Sequence, residues 1–216
     1  MPKLTVTFYT QSNDQSPIQN YLTKLNNRQH VKIVRQLQYL QEFGPTRTIP
    51  NNKKLTGTPL WELRVLGKDN LRILYSQTNK NTITILHIFI KKKQKTPQKE
   101  INLALSRYNR LIDKWYPIRY HPITMKPITL DNHIQNNLHN PQFKKEWEAS
   151  QVQYQTVRQL IKQRLAQKIS QRKLAQMANT TQAVISKIEN LSVNPSISLL
   201  ERIAHALGKK LEIRLT

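Results

Sequence analysis

The sequence contains no cysteine in its 216 residues, so it forms neither a disulfide bond nor a zinc site with thiolate ligands. Glycine is scarce as well. Gly44, Gly57, Gly67 and Gly208 lie too far apart for a glycine-rich loop that cradles a nucleotide phosphate. The first half has no paired carboxylates and no Ser-His-Asp spacing. We therefore expect a protein without a metal ion or another cofactor.

Acidic residues are few: 12 Asp and Glu stand against 35 Lys and Arg, a formal net charge of +23. Residues 1–124 hold 21 basic and 6 acidic residues, and residues 125–216 hold 14 and 6, so both halves are basic. A surface this basic attracts polyanions, and nucleic acid is the commonest of them. The background composition of an Asn-, Gln-, Lys- and Ile-rich proteome also explains the charge, but it does not explain the motifs described below.

Long apolar runs are missing too. The longest apolar-rich run, residues 83–90, is interrupted by Thr84 and His87 and is far too short to span a bilayer. The first ten residues, MPKLTVTFYT, lack the apolar core of a signal peptide. We expect a soluble protein of the reducing cytoplasm with no membrane partner.

The hydrophobic pattern of the first half predicts an α+β domain over residues 1–116. Apolar spacing predicts strands at residues 4–9, 61–66, 71–77 and 82–90, and helices at residues 17–25, 28–43 and 97–113. The strand at 82–90 is apolar on both faces and is expected at the centre of the sheet. Because the last three strands follow one another through short connections, we expect an antiparallel sheet packed on helices.

Prolines at positions 117, 122 and 127 predict a linker over residues 117–127. Met125 lies in this segment and is followed by a sequence that resembles an independent protein start. We interpret the chain as two adjacent reading frames joined together, and the sequence leaves both a natural and an engineered fusion open. The second domain is assigned to residues 128–216.

The clearest motif is SQRKLAQMANTTQAVISKIEN at residues 170–190. Its two predicted helices have apolar faces and N-cap residues: Leu174, Ala175, Ile185 and Ile188 for the faces, Ser170 and Thr181 for the caps. This pattern predicts a helix-turn-helix unit, within an all-α domain at about residues 154–208, and it resembles the Cro/C1-type repressor family. Leu191 stands where that family usually has glycine. A plain helical domain with a polar face is the alternative, and LEIRLT at the end predicts a terminal strand.

The second helix of such a unit enters the DNA major groove. We expect the DNA-binding residues to be Thr181, Gln182 and Ala183 at the helix start, with Ser186 and Lys187 one turn on. Gln pairs bidentately with adenine, and Lys reaches guanine or phosphate. Gln171, which begins the preceding helix, is expected to hold a DNA phosphate. Because one unit reads few bases, we expect a homodimer on operator DNA with an inverted repeat.

Three segments of the first half, LTGTPLWELRV, LRILYSQ and FIKKKQKTPQKEI, resemble the phage-derived branch of the RelE/ParE toxin superfamily, often called HigB-type toxins. The segment FKKEWEASQVQYQTVRQLIKQRLAQKISQRKLAQ resembles the HigA-type antitoxins encoded beside them. The two resemblances cover most of residues 1–115 and 125–216. They imply a type II toxin–antitoxin fusion, in which a RelE-like mRNA endoribonuclease acts at the ribosome and is restrained by an antitoxin that represses transcription.

The implied RNA cleavage needs no metal, because fixed cations can stabilise the charge that develops when the ribose 2′-OH attacks the phosphorus. We expect Arg64 and Arg72 to form this clamp, since guanidinium binds phosphate bidentately. Lys91 and Lys92 are expected to hold flanking phosphates, and Tyr75 to move a proton or stack a base.

The alternative for both arginines is an ordinary salt bridge with a carboxylate such as Glu62. A three-residue hairpin loop at residues 67–69 would place Arg64 directly opposite Arg72, where two like charges need an anion between them. A two-residue loop would turn them to opposite faces. His87 lies among apolar residues and is expected in the core rather than as a base.

A toxin and an antitoxin must also contact each other, within one chain or between chains. We expect Phe143 and Trp147 to pack on the first half, with Asp131, Glu146 and Glu148 near its basic face. The competing interpretation is a transcriptional repressor whose toxin-like half is catalytically inactive.

Overall fold

The computed structural model describes residues 3–45, 51–67, 70–91, 96–115 and 127–214. The first half forms β1 (Thr5–Phe8), α1 (Pro17–Leu22), α2 (Asn27–Phe43), β2 (Asn52–Lys54), β3 (Trp61–Val65), β4 (Leu71–Asn79), β5 (Thr82–Ile90) and α3 (Gln98–Trp115). The second half continues with β6 (Ile128–Thr129), α4 (Leu130–Leu138), α5 (Pro141–Ala149), α6 (Gln151–Ala166), α7 (Gln171–Met177), α8 (Gln182–Glu189) and α9 (Ile197–Ala206). The predicted fold class is confirmed: an α+β region is followed by a helical region with a helix-turn-helix unit.

The strands form one mixed sheet in the order β2-β3-β4-β5-β1-β6. All neighbouring strands are antiparallel except β1 and β5, which are parallel. The expectation of an antiparallel sheet is therefore corrected at this one pair. Apolar alternation identifies a strand but not its neighbour, and β1 and β5 are separated in the chain by two helices and three other strands.

Local capping explains where the long helix α2 begins and ends. The side chain of Asn26 accepts a hydrogen bond from the amide of Gln29 at 2.9 Å. Gly44 ends the helix with a φ of +75°, a conformation that glycine adopts without a steric penalty. One side of α2 packs on the sheet through Ile33 and Leu37, while Tyr39 belongs to the core of the second half. The helix therefore lies between the sheet and the helices of the second half.

The second half also completes the first core. β6 extends the sheet by pairing Thr129 with Thr7 of β1. Leu130 and Ile134 of α4 are buried in the same apolar cluster as the sheet residues. Residues that follow the predicted linker therefore form part of both the sheet edge and the first hydrophobic core, so the two halves pack as one unit at this edge.

Some elements are missed by the sequence pattern. β2 has three residues, and α4 and α5 have nine each with few apolar positions, so their periodicity is weak. The predicted terminal strand is not formed by residues 211–214, which are described and have no strand assignment. Apart from Pro127, the predicted linker lies outside the described residues.

Candidate nucleic-acid interface

The candidate catalytic arginines lie directly opposite each other on neighbouring strands. Arg64 of β3 pairs with Arg72 of β4 in the register of the sheet, as the three-residue hairpin loop predicts. Residues directly opposite in an antiparallel pair point to the same face. Their side chains are 38% and 9% exposed, so Arg64 is open to solvent and Arg72 is mostly covered. The sheet therefore presents two guanidinium groups side by side at one face.

A buried carboxylate provides the anion that this pair needs. Oε1 of Glu62 lies 2.9 Å from Nε of Arg64 and 3.4 Å from Nε of Arg72. Oε2 of Glu62 accepts a hydrogen bond from the hydroxyl of Thr96. Burial alone would raise the pKa of the Glu62 carboxyl, but Thr96 and the two arginines together hold that pKa below its ordinary value. Glu62 is therefore ionised and holds both arginines in place.

The two lysines of the predicted clamp are described unequally. Lys91 directly follows β5, is half-buried, and its amide donates to the carbonyl of Asn70 at 3.2 Å. That bond holds Lys91 beside Asn70, the residue before β4, which precedes Arg72 by two positions. Lys92 lies outside the described residues.

Tyr75 requires a correction, because the structure places it in the core. Its side chain is 0% exposed, and its hydroxyl donates to Oδ1 of Asn52 at 2.8 Å. Burial raises the pKa of the phenol, against a smaller opposite effect of the bond to Asn52. A buried, neutral phenol on the far face of the sheet does not reach RNA at Arg64. Sequence alternation missed this because the strand is apolar on both faces there.

His87 lies on the same face as Arg72 but is covered by α3. Its Nε2 is 2.6 Å from a carboxylate oxygen of Glu100, and its Nδ1 is 3.3 Å from Nη1 of Arg107. Burial lowers the pKa of His87, while the hydrogen bond to Glu100 raises it. The ring also stacks on Phe89 with centroids 5.5 Å apart. These contacts fix α3 on the sheet and leave the imidazole half-buried.

The recognition helix α8 begins where the sequence predicts. Oγ1 of Thr181 accepts the amide of Val184 at 3.3 Å and caps the helix. Four of the predicted DNA-binding residues are exposed: Thr181, Gln182, Ala183 and Lys187. Ser186 differs, because it is half-buried and its Oγ lies 3.4 Å from the side-chain amide of Asn51 in the first half. The outward face of α8 is therefore open, with one flank against the first half.

Gln171 has a contact that the sequence did not predict. Its side-chain amide donates to Oε2 of Glu189 at 2.8 Å. Glu189 is fully buried and also accepts two bonds from Arg164, at 2.6 and 2.8 Å. Gln171 thereby joins the ion pair that holds α6, α7 and α8 together. A phosphate contact by Gln171 remains a prediction. Because one side-chain N–H bonds Glu189, only the backbone amide and the second side-chain N–H of Gln171 remain for a DNA phosphate.

The contact between the halves uses the predicted aromatic residues. Phe143 is 1% exposed and packs edge-on against His30 with ring centroids 4.9 Å apart. Arg35 of α2 lies 3.4 Å from the centre of the Trp147 ring, and its Nη2 donates to the carbonyl of Trp147 at 3.0 Å. The predicted packing of Phe143 and Trp147 on the first half is confirmed.

The acidic residues of this contact are distributed differently from the expectation. Asp131 contacts Lys3 at 3.3 Å and Gln41 at 3.1 Å. Glu146 lines a cleft beside Arg28, Lys32 and Arg35. Glu148 instead pairs with Lys144 one turn earlier on its own helix, at 3.9 Å, so it does not meet the basic face.

Within the described ranges, no helix is long and apolar enough to cross a membrane. The same residues contain no group of three or more His, Asp or Glu side chains placed to hold a metal ion.

Comparison with known families assigns the two regions. Residues 20–109 match the family model described as Phage derived protein Gp49-like (DUF891), and residues 160–213 match the model described as Helix-turn-helix. A search of curated proteins gave no match. The candidate RNA-binding arginines lie in the first matched region, and the recognition helix lies in the second. The chain thus joins a Gp49-like domain of the RelE/HigB-type toxin family to a helix-turn-helix domain of the Cro/C1 type.

Proposed function

We propose that this chain is a type II toxin–antitoxin fusion. Its first half is a metal-independent endoribonuclease that cleaves mRNA at the ribosome, and its second half restrains that activity, binds operator DNA as a homodimer and represses transcription. The two family matches support a toxin–antitoxin-like regulator. The observation that carries the nuclease is the pairing of solvent-open Arg64 with the mostly covered Arg72 on one face of the sheet.

The chemistry assigned to this pair is stabilisation of the transition state. The ribose 2′-OH gives its proton to solvent and attacks the neighbouring phosphorus, and the phosphate gains negative charge. A 2′,3′-cyclic phosphate forms as the bond from phosphorus to the 5′-oxygen breaks, and that oxygen takes a proton from solvent. Two fixed guanidinium groups lower the energy of that charge, and fixing them beforehand avoids reorganisation during the reaction. Glu62 positions both arginines, and Lys91 lies next to them for a flanking phosphate. Tyr75 has no part in this proposal.

The restraint that we propose acts at the rim of the site. α4 and α5 pack on α2 and on the β1 edge, so they lie on the other side of the sheet from Arg64. The helix-turn-helix domain reaches the end of the strands next to the site, where Ser186 contacts Asn51, and the carbonyl of Asn51 accepts the amide of Arg64 at 2.9 Å. A domain at this position hinders a substrate as large as ribosome-bound mRNA without filling the site.

The experiment compares RNA cleavage by residues 1–116 carrying Arg64→Ala, Arg72→Lys or Lys80→Ala, with and without ribosomes. Removing a transition-state clamp costs roughly 3–4 kcal/mol, a factor of about 100 to 1000 in rate. Arg64→Ala should lose cleavage, Arg72→Lys should be strongly impaired because lysine offers no bidentate fork, and Lys80→Ala should match the unsubstituted fragment. Thermal melting of each variant separates catalysis from folding. If the Arg64→Ala fragment cleaves RNA as fast as the unsubstituted fragment, the proposal is contradicted.

One observation favours a second candidate, a repressor whose toxin-like half is inactive. Glu62 already pairs with both arginines and offsets one of their two positive charges, and the phenol of Tyr75 is buried, so among the described residues no free base lies beside the clamp. The same assay decides between the two. A folded fragment 1–116 that cleaves no RNA and stops no translation supports the inactive module.

A further inference from the structure

The recognition helix is held against the end of the sheet by three sets of contacts. Ser186 meets Asn51 at 3.4 Å, and Oδ1 of Asn190 accepts the amide of Leu66 at 3.4 Å. Nζ of Lys32 donates to Oγ of Ser192 at 2.8 Å and to the carbonyl of Leu66 at 2.5 Å. Residues from α2, the end of β3 and the segment before β2 therefore fix the orientation of α8 relative to the first half.

The contact with Asn51 lies on the flank of α8 rather than on its reading face. At 100° per residue, Ser186 falls between the buried Ile185 and the exposed Ala183 and Lys187. The DNA major groove is about 12 Å wide and a helix with its side chains is about 10–12 Å across. A segment that touches the flank of a helix in the groove therefore meets the sugar–phosphate backbone at the groove's rim.

The segment at this flank is basic. Lys53, two residues after Asn51, is exposed and lies opposite Glu62 in the register, on the face that carries Arg64. None of the ion pairs found among the described residues involves Lys53. Lys54 points to the other face, where its Nζ lies 5.5 Å from the centre of the Trp61 ring. Lys53 is thus an exposed cation, outside every ion pair of the described residues, on the segment that contacts the flank of α8.

We propose that the β2 edge of the toxin-like half belongs to the DNA-binding surface, with Lys53 contacting a backbone phosphate of the duplex that α8 reads. This inference rests on the proposed operator binding by α8. A phosphate contact adds affinity and salt dependence but carries no sequence information. The toxin-like half therefore strengthens DNA binding by the full chain without changing which sequence is preferred.

The test uses the full chain and a duplex that the wild type selects from a random pool. Lys53→Gln is compared with Lys80→Gln, which removes the same charge from the β4–β5 turn at the other end of the strands. Affinity is measured for the selected duplex and a scrambled one over a series of salt concentrations. Each phosphate contact that is lost reduces the magnitude of the slope of log K against log salt by about 0.9, so the loss of Lys53 from both protomers of a dimer reduces it by about 1.8, equivalent to about a sixtyfold loss of affinity at 0.1 M salt.

Lys53→Gln should show this loss equally for both duplexes, and Lys80→Gln should match the wild type. If Lys53→Gln and Lys80→Gln show equal affinity and equal slope, the inference is overturned, although operator binding stands. Tighter binding by Lys53→Gln than by the wild type overturns the inference as well. A loss confined to the selected duplex also overturns it, because a phosphate contact does not discriminate sequences. A wild-type chain that selects no duplex contradicts operator binding itself and the inference with it.

Discussion

The imidazoles of His30 and His133 face each other across the contact between the two halves, with their Nε2 atoms 2.8 Å apart. His30 lies on α2 and His133 on α4, and both are at most 3% exposed. Phe8 and Phe143 pack edge-on against the pair, and two neutral amides, those of Gln19 and Asn137, lie 3.4 Å from the ring nitrogens of His133. One neutral imidazole donates to the other at this distance, whereas two protonated rings would repel each other without a counter-charge nearby.

This pair predicts that the fold loses stability in mild acid. Burial lowers the pKa of each imidazole from 6.5 to about 4, with a further contribution to His133 from the charge of His30. The unfolded chain therefore binds more protons than the folded chain between pH 6.5 and 4, so the free energy of unfolding falls as pH decreases through that window. The loss is on the order of 3 kcal/mol per histidine at most.

Denaturant unfolding at pH 7 and pH 4.5 checks this prediction. His133→Asn should reduce the difference between the two pH values, and His139→Asn, which changes an exposed histidine, should leave the difference at the wild-type value. If all three proteins show the same pH dependence, the histidine pair is not its source.

Phe143→Ala should release the activity of the first half. Removing a fully buried phenylalanine costs about 3–5 kcal/mol, and here the lost contact is largely with α2 of the first half. Expression of Phe143→Ala in bacteria should slow growth relative to wild type, and adding Arg64→Ala should restore it. Val152→Ala is the matched control because Val152 is 79% exposed. Growth arrest that persists in the double variant would show that the toxicity comes from misfolding.

Gln182→Ala should weaken sequence preference on DNA. Gln182 is exposed at the start of α8, and a bidentate contact to adenine contributes about 1–3 kcal/mol of discrimination. Lys162→Ala, on the exposed side of α6, should keep the preference. The ratio of affinities for selected and scrambled duplexes measures the effect, and an unchanged ratio in Gln182→Ala rules out base reading by this residue.

Lys168→Gly should stabilise the helical domain. Lys168 is exposed beyond the end of α6 and has a φ of +55°, a region that costs a residue with a Cβ about 1–2 kcal/mol. Glycine avoids that strain but loses more entropy on folding, which leaves a gain of about 1 kcal/mol at most. Lys162→Gly is the matched control, because glycine inside α6 should cost about 1 kcal/mol. The midpoint of thermal unfolding should therefore rise in one variant and fall in the other.

The sequence by itself determined the local features of this protein. The caps Ser170 and Thr181 begin their helices as the side-chain pattern predicts, because an N-cap bond involves residues only three apart. The sequence also reduced the placement of Arg64 and Arg72 to two cases, set by the length of one hairpin loop, and the register of β3 with β4 selected the opposed arrangement. Both kinds of prediction depend on short-range geometry, which the neighbouring residues fix.

Only the tertiary structure decided what distant segments do to one another. The parallel pairing of β1 with β5, the burial of Tyr75, the His30–His133 contact and the approach of Asn51 to Ser186 each join residues far apart in the chain. Alternation shows that a residue is on a strand or a helix face, but not which surface covers that face. Which polar residues stay exposed to nucleic acid therefore follows from these long-range contacts, because they decide which face of each strand or helix is covered.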